Sequence, residues 1–246
     1  MSMQKKLRTI HKILLGILVV AILMVGAFLL YVSDYYHAAV DSQERAMFSD
    51  IRVLDANDAL IADPGNAITA LILYPGGKVE HRAYEMLALR IADEGILCIV
   101  PKMPFNLAVF GINRAERFIA AHPEIEHWYV GGHSLGGSMA AGFAAKHVPM
   151  VEGLVLLASY SVEDLSNHML RVLSITASND TVLSRESYEK YKTNLPKGFT
   201  ELVLAGANHA GFASYGTQKG DGIATLSEAE QQAAAAEAIA EFCLTR

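Results

Sequence analysis

Cysteine is scarce. Cys98 and Cys243 are the only two in 246 residues. Cys98 lies in the apolar run "ILCIV" and Cys243 in a late amphipathic stretch, so both read as buried free thiols rather than a disulfide framework. No Cys/His spacing of the zinc type is present, and neither a metal nor an organic cofactor is expected. Repeats at solenoid-like periods and low-complexity tracts are also missing, which excludes array architectures. Basic residues are in the minority. Four of the twenty precede Ile13, leaving 16 against 26 acidic residues, a net charge of −10. A domain this acidic has no footprint for nucleic acid or for an anionic lipid surface.

Charge is absent altogether between Ile13 and Val32. Twenty helical residues span about 30 Å, the hydrocarbon thickness of a bilayer. Lys5, Lys6, Arg8 and Lys12 precede the run and Asp34 follows it. The positive-inside rule then places residues 1–12 in the cytoplasm and the rest outside, tethered to the cell membrane by a single pass. A cleaved signal peptide would need a shorter apolar region, about 7–15 residues, and small residues at its cleavage site. The sequence "YVSDYYHAAV" offers no such site. The expected organisation is a basic tail over 1–12, an anchor over 13–32, a polar connector over 33–50 and one domain over 51–246. About two hundred residues suffice for one core.

Within that domain the pattern alternates. "DIRVL", "DALIA" and "AITALILYP" predict strands, with Asp63-Pro64-Gly65-Asn66 as a turn. From there helices and short apolar strands take turns to the last helix, which opens with Ser227 and Glu230 as a capping box. The expectation is an α/β domain with a mostly parallel sheet of about eight strands, covered on both faces. Ligands of such sheets bind at the carboxyl ends of the strands.

At one such end stands "VGGHSLGGSMAAG". Gly132-His133-Ser134-Leu135-Gly136 fits G-x-S-x-G between a strand and a small-residue helix, the setting of a nucleophile elbow. A serine needs a base, and the base an orienting acid, in the chain order Ser, acid, His. Asp180 in "ASNDTV" and His209 in "GANHAGF" follow later strands and take those roles. Asp164 and, more distantly, Asp221 are rival acids; His168 is the rival base, though it precedes its strand. Two backbone N–H groups must hold the oxyanion. Leu135 should give one, and Gly77 or Lys78 in "LYPGGKVEH" the other. Met103, Phe105, Asn106, Phe110, Tyr160, Phe212 and Tyr215 are candidates for the pocket wall, with Lys78.

The stretches "YPGGKVE", "PKMPFNLAVFG", "GGHSLGG", "ASNDTV" and "GANHAGFASYGTQKGDG" resemble the α/β-hydrolase superfamily. They are most similar to its compact, lidless fold-5 group, related to dienelactone-hydrolase-like proteins. The resemblance implies a three-layer α/β-hydrolase fold without a large cap domain. It implies serine-hydrolase chemistry through Ser134, Asp180 and His209 and names a reaction type, not a substrate; small carboxylic esters, thioesters or lactones are the expected substrates. Pro75 stands where many lipases carry the histidine of a His-Gly pair, so the second oxyanion donor departs from that pattern. An acyltransferase on the same triad and a non-catalytic binding module are the alternatives.

Overall fold

The computed structural model describes residues 3–245. Met1 and Ser2 of the expected basic tail lie outside the described residues. The chain forms two units, one up to Tyr35 and one from Tyr36 onward. The first is a single helix, α1 (Met3–Ser33). Its stretch Leu7–Ser33, which includes the expected anchor over 13–32, is long and apolar enough to cross a membrane.

The second unit is built on an eight-stranded sheet. The strands are β1 (Arg52–Ala56), β2 (Ala59–Asp63), β3 (Thr69–Tyr74), β4 (Leu97–Pro101), β5 (His127–His133), β6 (Gly153–Leu157), β7 (Arg171–Ala177) and β8 (Thr200–Leu204). Their order across the sheet is β1-β2-β4-β3-β5-β6-β7-β8. β1 and β2 pair antiparallel, as do β2 and β4; every other pairing is parallel. This is the mostly parallel α/β sheet expected from the alternation.

Period-two alternation sorts the strand residues onto two cores. Leu71 and Leu73 of β3 and Val155 and Leu157 of β6 face one, with Leu87 and Ile91 of α3 (Glu85–Asp93) and Ile239 of α7 (Glu228–Leu244). Ala70, Ile72 and Tyr74 of β3 face the other, with Phe118 of α4 (Ala115–Ala121) and Phe143 of α5 (Leu135–Ala144). Both faces of β3 through β6 are therefore dry, which explains their unbroken apolar runs. Cys98 and Cys243 are buried free thiols, and burial pushes both thiols up from the ordinary value.

The stretch 33–50 departs from the expected polar connector. Tyr36 N–H donates to Lys78 O (2.7 Å) and Glu80 N–H to Tyr36 O (2.9 Å), forming a parallel bridge with Val79. Ala39 N–H donates to Ser214 O at 2.7 Å. The one-turn α2 (Ser42–Arg45) follows, its first N–H groups capped by Asp41. The compact unit thus begins at Tyr36 rather than at residue 51. These bonds are made by the main chain to two distant loops, so no side-chain period announces them.

Candidate active site

β5 ends at His133 and α5 begins at Leu135, leaving Ser134 alone to turn the chain. It does so at φ 52°, ψ −123°, a conformation rare for any residue but glycine. Neighbours hold it there. Ser134 N–H donates to Leu157 O (2.9 Å), and the Ser159 hydroxyl donates to Ser134 O (2.6 Å). The flanking glycines are required sterically. A Cβ on Gly132 would overlap the Gly136 backbone, and one on Gly136 would overlap the carbonyl oxygens of Tyr74 and Pro75. Non-glycine residues with left-handed φ among the described residues are Ser134, Lys78, Phe105, Asn106 and Ala158. Ser134 and Ala158 line one cleft, and the other three lie in the loops after β3 and β4.

Asp180 and His209 meet from separate loops. His209 Nδ1 lies 2.8 Å from Asp180 Oδ2, and both side chains are buried. The other carboxylate oxygen, Oδ1, accepts the N–H groups of Val182 and Leu183, each at 2.8 Å. Burial pushes the Asp180 carboxyl up, but the His209 bond and those N–H groups outweigh it and hold it below the usual carboxylate range. An ionised Asp180 accepts the proton on His209 Nδ1, which leaves Nε2 as the basic nitrogen. Ser134 and His209 line the same cleft of about 280 Å³, with Leu135, Ser138, Ala158, Ser159, Tyr160, Val182, Leu183 and Ser184.

The rivals lie elsewhere. Asp164 is exposed and bonded to Ser166. His168 does not line the cleft. Asp221 instead stitches the two loops: its Oδ2 accepts Ala210 N–H at 2.8 Å, and its Oδ1 faces Thr181 N–H at 3.5 Å.

The N–H inventory of the β3 loop is selective. Gly76 N–H donates to the Tyr84 hydroxyl (2.8 Å) and Lys78 N–H to Asn106 O (2.8 Å). Among the described residues, neither Gly77 N–H nor Leu135 N–H has an internal acceptor. Gly77 approaches the elbow so closely that an added Cβ would sit 3.0 Å from Leu135 Cδ2. Of the two expected donors, Gly77 or Lys78, this leaves Gly77.

The candidate pocket residues divide. Tyr160 lines the cleft. Lys78, Phe105 and Asn106 do not line the cleft; they lie in the loops after β3 and β4, with Phe105 and Phe110 exposed and in edge contact (ring centroids 5.8 Å). Met103 is buried. Phe212 and Tyr215 do not line the cleft. Phe212 is buried behind the site against His133, and Tyr215 packs on Tyr36. The 3₁₀ turn Ala210–Phe212 directly after His209 carries Phe212 into the core. Sequence reasoning missed Ser138, Ser159 and Ser184, which carry no motif. It also missed Gln231 of α7, whose buried amide brackets Asn208, accepting its N–H (3.1 Å) and donating to its carbonyl (2.7 Å).

The pattern of the alpha/beta hydrolase family matches residues 70–233, which contain all of these groups. The chain belongs to the alpha/beta hydrolase family. No curated protein matches this hydrolase. Solved structures share its fold. The esterase domain of a Rhodothermus marinus protein superposes with a TM-score of 0.58 at 14% identity, covering 77% of this chain and 96% of that one. Est1E from Butyrivibrio proteoclasticus gives 0.57 at 12% identity, covering 79% and 98%.

Two buried histidines of this hydrolase carry a pH consequence. Burial, and then the neighbouring His209, pull His133 well below the ordinary histidine value, against a backbone interaction with His209. Burial lowers His81 too, opposed by Glu80 and aided by Lys102. The unfolded chain takes up protons at both positions near pH 6.5, while the folded chain does not until lower pH. Stability is therefore complete above about pH 6.5 and falls as pH drops from there toward the folded values. Melting scans should show a lower Tm at about pH 5 than at about pH 7, and His81→Leu should flatten that slope. A wild-type Tm that stays level between these values would contradict it.

Proposed function

We propose that this chain is a membrane-anchored serine hydrolase acting on small carboxylic esters, thioesters or lactones. The observation that carries the reading is the 2.8 Å His209–Asp180 bond beside Ser134 on a strained elbow, with two unspent N–H groups at hand. Ser134 Oγ attacks the acyl carbon as His209 Nε2 takes its proton. The tetrahedral oxyanion is held by the N–H groups of Leu135 and Gly77. Collapse breaks the ester C–O bond, and the protonated His209 gives its proton to the departing oxygen. Water, deprotonated by His209, then attacks the acyl-enzyme and frees the acid and Ser134. The cleft volume, about 280 Å³, suits short acyl groups. The charge-free run 13–32 within α1, with Lys5, Lys6, Arg8 and Lys12 ahead of it, supports an anchor whose catalytic domain is extracytoplasmic.

The test is fluorophosphonate labelling of the full chain in detergent, beside Ser134→Ala. Labelling of wild type only is expected. Absence of labelling in folded wild type would remove the reading. For topology, an impermeant protease should digest the domain on intact cells; protection until lysis would place it in the cytoplasm.

A further inference from the structure

The second oxyanion donor of this chain lacks the His-Gly pair that its Pro75 displaces, so something else must fix the loop. We propose that Tyr84 is a positioning residue whose hydroxyl ties the oxyanion loop to the nucleophile elbow through His133. The inference rests on the hydrolase reading above.

Tyr84 is fully buried at the head of α3. Its hydroxyl accepts Gly76 N–H at 2.8 Å and lies 2.8 Å from His133 Nδ1. A buried hydroxyl hydrogen needs an acceptor, and His133 Nδ1 is the one within reach. With the hydroxyl hydrogen donated to Nδ1, the His133 ring proton falls on Nε2, a buried nitrogen that has no hydrogen-bond partner among the described residues. The fit is close: a Cβ on Gly76 would lie 3.1 Å from both partner atoms. His133 in turn immediately precedes Ser134, and its ring centroid is 4.5 Å from that of His209. One hydroxyl thus joins the loop that carries Gly77, the residue before the nucleophile and the neighbour of the base.

The consequence is selective. By taking Gly76 N–H, Tyr84 fixes the Pro75–Gly76 peptide, one unit ahead of the plane that carries Gly77 N–H, and in that plane Gly76 O accepts Val79 N–H at 3.2 Å. Asn106 O, by taking Lys78 N–H, fixes the Gly77–Lys78 peptide. Gly77 N–H is left without an internal acceptor, open to an oxyanion. Donors fixed before reaction stabilise charge without reorganising, so a loop freed to rotate weakens the transition state more than substrate binding.

The experiment compares wild type, Tyr84→Phe, His133→Leu, the double variant and Ser134→Ala, as full chains in detergent with a p-nitrophenyl acyl ester. Active sites are counted by fluorophosphonate. Tyr84→Phe should lower kcat per titrated site about tenfold to a hundredfold with KM little changed. His133→Leu should cost a similar factor. The double variant should lose no more than the worse single, since both cut one path. Should His133→Leu fail to fold, His133→Gln, which keeps an acceptor for the Tyr84 hydroxyl, is expected to retain more activity than Tyr84→Phe. A Tyr84→Phe kcat within about twofold of wild type would overturn the inference, as would losses that multiply in the double variant. So would a drop in Tm with kcat per titrated site intact, the signature of a purely structural residue. Activity in Ser134→Ala equal to wild type would take down the hydrolase reading itself. Loss in Ser134→Ala with none in Tyr84→Phe would take down this inference alone.

Discussion

Ser134→Ala is expected to lower kcat for a short-chain p-nitrophenyl ester by about 10⁴- to 10⁶-fold with the fold intact. The substitution removes one oxygen and adds no strain, because serine and alanine face the same cost at φ 52°. His209→Ala should fall as far, and the two together no further, since each group is useless without the other. The residual rate would come from the oxyanion donors and binding alone. Steady-state kinetics on the purified full chain read all three variants. A Ser134→Ala protein with a tenth of wild-type activity or more would mean that the chemistry runs elsewhere.

Asp180→Asn is the second large effect, about 10⁴-fold in kcat. The structure gives it a specific route. Asp180 Oδ1 accepts two backbone N–H groups, and an asparagine would keep its carbonyl oxygen there. Its NH₂ group would then face His209 Nδ1. The ring must answer by carrying its proton on Nε2, so the nitrogen meant to take the serine proton already holds one. Asp164→Asn makes the control. Asp164 is exposed and bonded to Ser166, and its removal should leave kcat within about twofold of wild type. If Asp164→Asn proved the damaging change and Asp180→Asn the harmless one, the acid would have to be reassigned.

Much of this site could be read from the chain because its constraints are local. The elbow announces itself through Gly132 and Gly136, whose Cβ atoms would strike backbone. Asp180 and His209 follow predicted strands, and strand ends in a parallel sheet share one edge. The sheet was legible for the same reason, since residues buried on both faces leave an unbroken apolar run.

What stayed hidden depends on long-range or main-chain contact. Tyr84 and His133 are 49 residues apart and meet through one hydroxyl. Nothing in "EHRAYEM" distinguishes that tyrosine from a core residue. The choice of Gly77 over Lys78 needed the carbonyl of Asn106, which sits after another strand. Phe212 and Tyr215 looked like pocket aromatics because they follow His209. Their direction is set by a turn whose handedness composition does not encode.

The bridge at Tyr36 has a mechanical meaning. Its two main-chain bonds, to Lys78 and Glu80, flank Val79, and Ala39 adds a third to Ser214. Tension on the chain ahead of Tyr36 meets these bonds before it meets the sheet. They act as a strain relief, like the clamp where a cable enters its housing. The clamp is fastened to the loop of Gly77 and to the loop that follows His209. A pull strong enough to slip it would loosen the loop of Gly77 and the loop that follows His209 together.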